Sequence, residues 1–138
     1  MNEFKEFGLV IFDLDDTLVE NREATLIARN AAISLLFSQY SNEQRLELLE
    51  KWQRLTWFFS SEEQKTELKI LVKESGSKIT SKRIKEAELT FREIYFSNIK
   101  PVNGTFELLD KLLEMGIKIG LVTNGKIKYQ RAKLEKTN

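Results

Sequence analysis

The sequence predicts an α/β fold: a parallel βαβ unit whose crossover carries a large all-helical insertion. Three features predict it. Gly8-Leu9-Val10-Ile11-Phe12 and Ile117-Lys118-Ile119-Gly120-Leu121-Val122 are short, mainly apolar runs that each end in a polar loop. Residues 21–98, between them, hold one Gly, no Pro and apolar side chains at helical spacing. Residues 103–115 then repeat apolar positions at Phe106, Leu108, Leu109, Leu112 and Leu113, the pattern of a helix packed on a sheet.

Taken in order, the first run is continuous rather than alternating, which predicts a strand covered on both faces as in a parallel sheet. It ends in Asp13-Leu14-Asp15-Asp16-Thr17. The insertion divides into helices over residues 22–39, 42–59, 62–73 and 82–96. Capping boxes, Ser41-x-x-Gln44 and Ser61-x-x-Gln64, announce the second and third, and Ser75-Gly76 supplies a stop for the third. Gly116 sits where the C′ glycine of the next helix belongs. The second strand ends in Thr123-Asn124-Gly125, and residues 126–136 begin a last helix.

Composition narrows the chemistry. The 138 residues are 41% hydrophobic and 31% charged, enough apolar material for a core, and length alone suits one domain of ordinary size or a small one with an insertion. Lys+Arg and Asp+Glu number 22 and 21, a net charge of +1, so no overall field steers the chain to nucleic acid or anionic lipid. With no Cys there are no disulfides, thiolate metal sites or Cys nucleophiles. With no His, imidazole catalysis and His-ligated metals are excluded, leaving carboxylates, Lys and Tyr for proton transfer. No apolar run approaches the roughly 18 to 20 residues needed to span a bilayer, and residues 1–7 lack a signal-peptide core, so a cytoplasmic location without membrane partners is expected.

Ligands of open α/β sheets bind beyond the carboxyl ends of the strands, where both polar loops lie. Two carboxylates two residues apart can take different roles if the turn aims them differently, and such a pair suits covalent catalysis, with Asp13 as nucleophile and Asp15 as general acid, then base. Clustered carboxylates repel, so a hard divalent cation with oxygen ligands, most naturally Mg²⁺, is expected there. Thr123 offers a hydroxyl, and Asn124 and Gly125 backbone N–H groups, to an anionic oxygen beside a helix N-terminus.

These segments together resemble one family. Val10-Ile11-Phe12-Asp13-Leu14-Asp15-Asp16-Thr17-Leu18 looks like the first motif of the haloacid dehalogenase-like (HAD) superfamily, and Gly120-Leu121-Val122-Thr123-Asn124-Gly125 looks like its second. The helical block sits where that superfamily inserts a cap, and Pro101-Val102-Asn103-Gly104-Thr105 resembles the return into the core. The resemblance implies a Rossmannoid core over residues 1–20 and 99–138, with only its first two parallel strands present, and a helical bundle cap over 21–98. It implies Mg²⁺-dependent hydrolysis of a small phosphorylated metabolite through an aspartyl-phosphate on Asp13, with Asp15 protonating the leaving oxygen, Thr123, Asn124 and Gly125 holding the substrate, and the metal on the Asp13 carboxylate and the Asp15 backbone carbonyl. An Asp at position 15 fits phosphatases of the superfamily rather than its dehalogenases. Asp16 and Thr17 are read as turn-shaping.

The family also uses a later lysine and a further acidic motif, and neither is expected within these 138 residues. The chain is therefore expected to be a C-terminally truncated fragment with little or no activity, ordering by self-association or with a missing half, because two parallel strands leave apolar edges open. The competing reading is a non-enzymatic remnant or interaction module. Trp52, Trp57, Phe58 and Phe59 are assigned to the insertion's own core rather than to a substrate lid. Glu43, Arg45, Glu47 and Glu50, like the basic series Lys126, Lys128, Arg131, Lys133 and Lys136, are assigned to solvated helix faces.

Overall fold

A computed structural model of the chain describes residues 8–55 and 64–137. Along the sequence the elements are β1 (Leu9–Phe12), β2 (Val19–Glu20), α1 (Arg22–Leu36), α2 (Asn42–Leu55), α3 (Gln64–Glu74), α4 (Ser81–Asn98), β3 (Lys100–Pro101), α5 (Thr105–Glu114), β4 (Lys118–Leu121) and α6 (Ile127–Thr137). They fall into two compact units: an α/β unit of the residues up to Arg22 and from Ile99 onward, and a helical unit, Glu23–Asn98.

In the α/β unit β1 and β4 pair in parallel, Leu9 opposite Lys118 and Phe12 opposite Leu121. Gly120 lies opposite Ile11, and a Cβ there would come within 3.3 Å of Ile11 Cγ1, so this strand position has little room for a side chain. Helix α5 packs against β4 and ends in a Schellman motif, with Gly116 N–H donating to Leu113 O and Ile117 N–H to Leu112 O. Gly116 takes φ 73°, the left-handed region that favours glycine. The expectation of cover on both faces of β1 is not met among the described residues. Val10 and Phe12 are half-buried while Leu9 and Ile11 are exposed, so one face of the strand stays open.

Val19 pairs with Pro101 and Glu20 with Lys100 in a two-residue antiparallel ladder, with a Glu20–Lys100 ion pair of 3.1 Å. Leu18 O accepts from Val102 N–H at 2.9 Å and from the Thr105 hydroxyl at 3.2 Å. Together these contacts bring the two chain ends of the helical insertion side by side. Two residues per strand carry no periodicity to read, which is why the ladder is absent from the sequence-level expectation.

The helical unit follows the expected order, with α1 three residues shorter than predicted at its C-terminus and α4 reaching Asn98. The capping box before α2 forms in both directions: Ser41 N–H donates to Gln44 Oε1 at 2.9 Å, and Gln44 N–H to Ser41 Oγ at 3.3 Å. Gly76, after α3, has φ 67°. Ser61 of the second box, with Trp57, Phe58 and Phe59, lies outside the described residues. Trp52 is 0% exposed: its indole N–H donates to Glu67 and its ring faces Phe91 at 5.7 Å. Arg29 sits over the same ring at 5.6 Å. Burial pulls the Arg29 guanidinium pKa below its ordinary value, and the Glu67 charge partly opposes that.

Candidate active site

The register sets the geometry. Phe12 and Leu121 are paired at the carboxyl ends of their strands, and Val122 N–H donates to Phe12 O at 2.9 Å, so the loops that follow start side by side. In the first loop Leu14 is fully buried, and its carbonyl accepts from Thr17, Leu18 and Val19 N–H groups at 3.3, 3.0 and 3.1 Å. That anchor separates the flanking acids: Asp13 is exposed, whereas Asp15 is half-buried and turned toward α6. The two carboxylates two residues apart therefore occupy different environments.

Asp16 has a structural task. It adopts φ 57° and its Oδ1 accepts from Asn21 and Arg22 N–H groups at 2.9 and 3.0 Å, satisfying donors at the start of α1. Its own N–H donates to Val19 O at 2.7 Å, closing the loop.

Helix α6 supplies two side chains that the sequence reading did not place here. Lys133 Nζ donates to both Asp15 oxygens, at 2.6 Å to Oδ1 and 2.8 Å to Oδ2. Gln130 Nε2 donates to Asp15 Oδ2 at 3.3 Å and also to the carbonyl oxygen of Asn124, bridging the loops after β1 and β4. Assigning Lys133 to a solvated face is thus corrected: it is 5% exposed, while Lys126, Lys128, Arg131 and Lys136 are exposed. The physical reason is that an ammonium shut away from water needs an anionic partner, and Asp15 provides one. The available signal was the spacing of Gln130 and Lys133, three apart and so on one helix face. Five cations in eleven residues hid it.

In the second loop Gly125 has φ 118°, a conformation suited to glycine, and the Thr123 hydroxyl donates to Asn124 O at 3.4 Å. Thr123 is half-buried and Asn124 and Gly125 are exposed. Among the described residues no three His, Cys, Asp or Glu side chains gather into a metal-binding group. The oxygens at hand, the exposed Asp13 carboxylate and main-chain carbonyls, are hard donors that fit an ion keeping most of its waters, and not a closed protein cage. No helix among the described residues is long and apolar enough to cross a membrane.

Comparison with known proteins agrees with this architecture. A protein named glyceraldehyde 3-phosphate phosphatase from Methanocaldococcus jannaschii is 29% identical over 116 residues, 84% of this chain and 50% of its own length. The chain spans about half the length of the curated relatives it matches. Among solved structures, a haloacid dehalogenase-like family hydrolase from Xanthomonas campestris superposes with a TM-score of 0.69 at 20% identity, covering 96% of this chain and 57% of that one. The candidate HAD-hydrolase YfnB from Bacillus subtilis, solved bound to magnesium, gives a TM-score of 0.59 at 22% identity over 94% of this chain and 59% of its own. The fold is thus HAD-like α/β, and the family profile described as haloacid dehalogenase-like hydrolase matches residues 10–138. With nearly its whole length matched, the chain belongs to the haloacid dehalogenase-like hydrolase family.

Proposed function

We propose that the chain carries the nucleophile and the general acid of a phosphomonoesterase that works through an aspartyl-phosphate. The observation that carries this reading is the separation of the two aspartates by the buried Leu14, one exposed and one held from behind by Lys133 and Gln130. An exposed carboxylate suits attack, and a held one suits proton transfer. An Asp13 oxygen attacks phosphorus, the bond from phosphorus to the ester oxygen breaks, and that oxygen leaves with a proton from Asp15. Asp15 then takes a proton from water as the water oxygen attacks phosphorus, releasing inorganic phosphate and restoring the Asp13 carboxylate.

The Thr123 hydroxyl and the Asn124 and Gly125 N–H groups hold phosphoryl oxygens in this reading. Mg²⁺, held by the Asp13 carboxylate and the Asp15 main-chain carbonyl, would neutralise charge between nucleophile and phosphoryl group. The name of the curated relatives makes glyceraldehyde 3-phosphate and similar small phosphorylated metabolites the first substrates to try. Residues 21–98 act as the cap domain, a reading supported by the helical unit having its own buried core. A cytoplasmic location fits a chain without Cys.

The chain spans about half the length of its curated relatives, and slow turnover by these 138 residues is part of the reading. The test is release of phosphate from p-nitrophenyl phosphate with protein in excess, with Mg²⁺ and with chelator. Slow release that needs Mg²⁺ and vanishes in Asp13→Asn is the expected result. A silent wild type, or a fully active Asp13→Asn, sinks the reading.

The open face of β1, with Leu9 and Ile11 exposed, favours self-association as a second property of the chain. Light scattering on a sizing column should give a mass above 16.1 kDa; a monomer at every concentration rules it out.

A further inference from the structure

We propose that Lys133 and Gln130 are positioning residues that fix the Asp15 carboxylate for proton transfer and tie it to the Thr123-Asn124-Gly125 loop. The inference rests on the phosphatase reading and extends it to two residues of α6. Lys133 Nζ meets both Asp15 oxygens, at 2.6 and 2.8 Å, so one ammonium holds both ends of the carboxylate and sets its direction. Gln130 Nε2 adds a third contact at Oδ2, 3.3 Å away, and shares its amide with Asn124 O. One helix face therefore holds both loops at once, and a shift of either loop has to break a hydrogen bond to the same side chain.

The burial is lopsided in a way that a stabilising ion pair does not require. The Lys133 side chain is 6% exposed and the Asp15 side chain 28%. The cation is enclosed behind the carboxylate, while the carboxylate keeps a face toward solvent, where a leaving oxygen would arrive. An enclosed ion pair adds little net stability once desolvation is counted, so stability alone is a poor reason to enclose this lysine. Holding a reacting group in one orientation is worth much more, because misplacement of the order of an ångström can cost about 10²-fold in rate.

Leaving-group dependence separates this role from a general structural one. p-Nitrophenolate departs without a proton, whereas the alkoxide of glycerol 3-phosphate needs one. With protein in excess, release of p-nitrophenol or glycerol in the first turnover reports the step in which Asp15 acts. Lys133→Met is expected to slow glycerol release about tenfold or more beyond its effect on p-nitrophenol release, a fraction of the roughly 10² to 10⁴ that general acid catalysis supplies. Lys133→Arg should restore most of the loss, since a guanidinium can also engage both oxygens. Gln130→Leu should show the same pattern, about threefold, and it carries the test if Lys133→Met fails to fold. Equal slowing of both esters, in a wild type that turns both over, overturns the positioning role and leaves the phosphatase reading intact. Release of neither alcohol by the wild type overturns both.

Discussion

The helical unit and the α/β unit solve the problem of burial differently. In the helical unit the largest side chains are inside, although Leu46 and Leu89 are exposed: Trp52, Phe37, Leu68 and Leu71 are inaccessible, and aromatic contacts run from Trp52 through Phe91 to Tyr95 at 5.7 and 6.0 Å. In the α/β unit Leu14, Val19, Leu112 and Ile117 are buried, yet Ile11 is 57% and Val122 66% exposed. The candidate site belongs wholly to this second unit, on loops anchored by Leu14 and by α6. Stability is therefore concentrated where no chemistry is proposed, and the chemistry rests on a smaller core.

The sharpest way to break this comparison is through the helical core. Trp52→Ala should cost about 3 to 5 kcal/mol, the usual range for deleting a buried aromatic, and should lower the thermal midpoint followed by helical circular dichroism. Asp13→Asn, at an exposed loop position, should shift the same midpoint by no more than about 0.5 kcal/mol. A small effect of Trp52→Ala would mean that the helices do not depend on this aromatic. Leu14→Ala comes next, at about 2 to 3 kcal/mol. Because Leu14 separates Asp13 from Asp15, this variant should also depress phosphate release more than a distant core truncation of equal cost, such as Leu71→Ala.

How far these features were legible in the sequence depends on the range of the interaction. Helices of the insertion were legible through local signals, since the Ser41–Gln44 box, the Ser75-Gly76 stop and apolar spacing act within a few residues. β1 and β4 were legible as apolar runs, and their polar loops drew attention to Asp13, Asp15 and Thr123 by position alone. The β2–β3 ladder was not, because Val19 and Pro101 are distant in sequence and each strand is two residues long. Lys133 was hidden for a related reason. Only its spacing from Gln130 sets it apart among the basic residues 126–136, and its partner, Asp15, lies at the other end of the chain. The open face of β1 is not legible in the sequence, since an apolar run reports what a strand can bury, not what covers it.

Asp16 tests how the two units are joined in sequence. Its carboxylate accepts from the N–H groups of Asn21 and Arg22, the residue before α1 and its first, from the loop that also holds Asp13 and Asp15. Asp16→Ala should cost about 1 kcal/mol in thermal unfolding, the usual value of a lost cap, and Asp16→Asn should keep most of it. An equal loss in both variants would show that charge, and not the hydrogen bonds, is what the helix start requires.

The smallest expected effect on stability falls on the open face of β1, and it is the most informative about that face. Ile11 is exposed beside the close contact with Gly120, so Ile11→Thr keeps a β-branched side chain in the strand and removes apolar surface only from the open side. If nothing covers Ile11, the thermal midpoint at low protein concentration should change by no more than about 0.5 kcal/mol. If association uses this face, the mass by light scattering should fall toward that of a single chain at concentrations where the wild type is larger. A loss of more than about 1 kcal/mol at low concentration would instead mean that Ile11 is buried in the isolated chain. The contrast between a helical unit with a large aromatic core and an open strand face would then have to be abandoned.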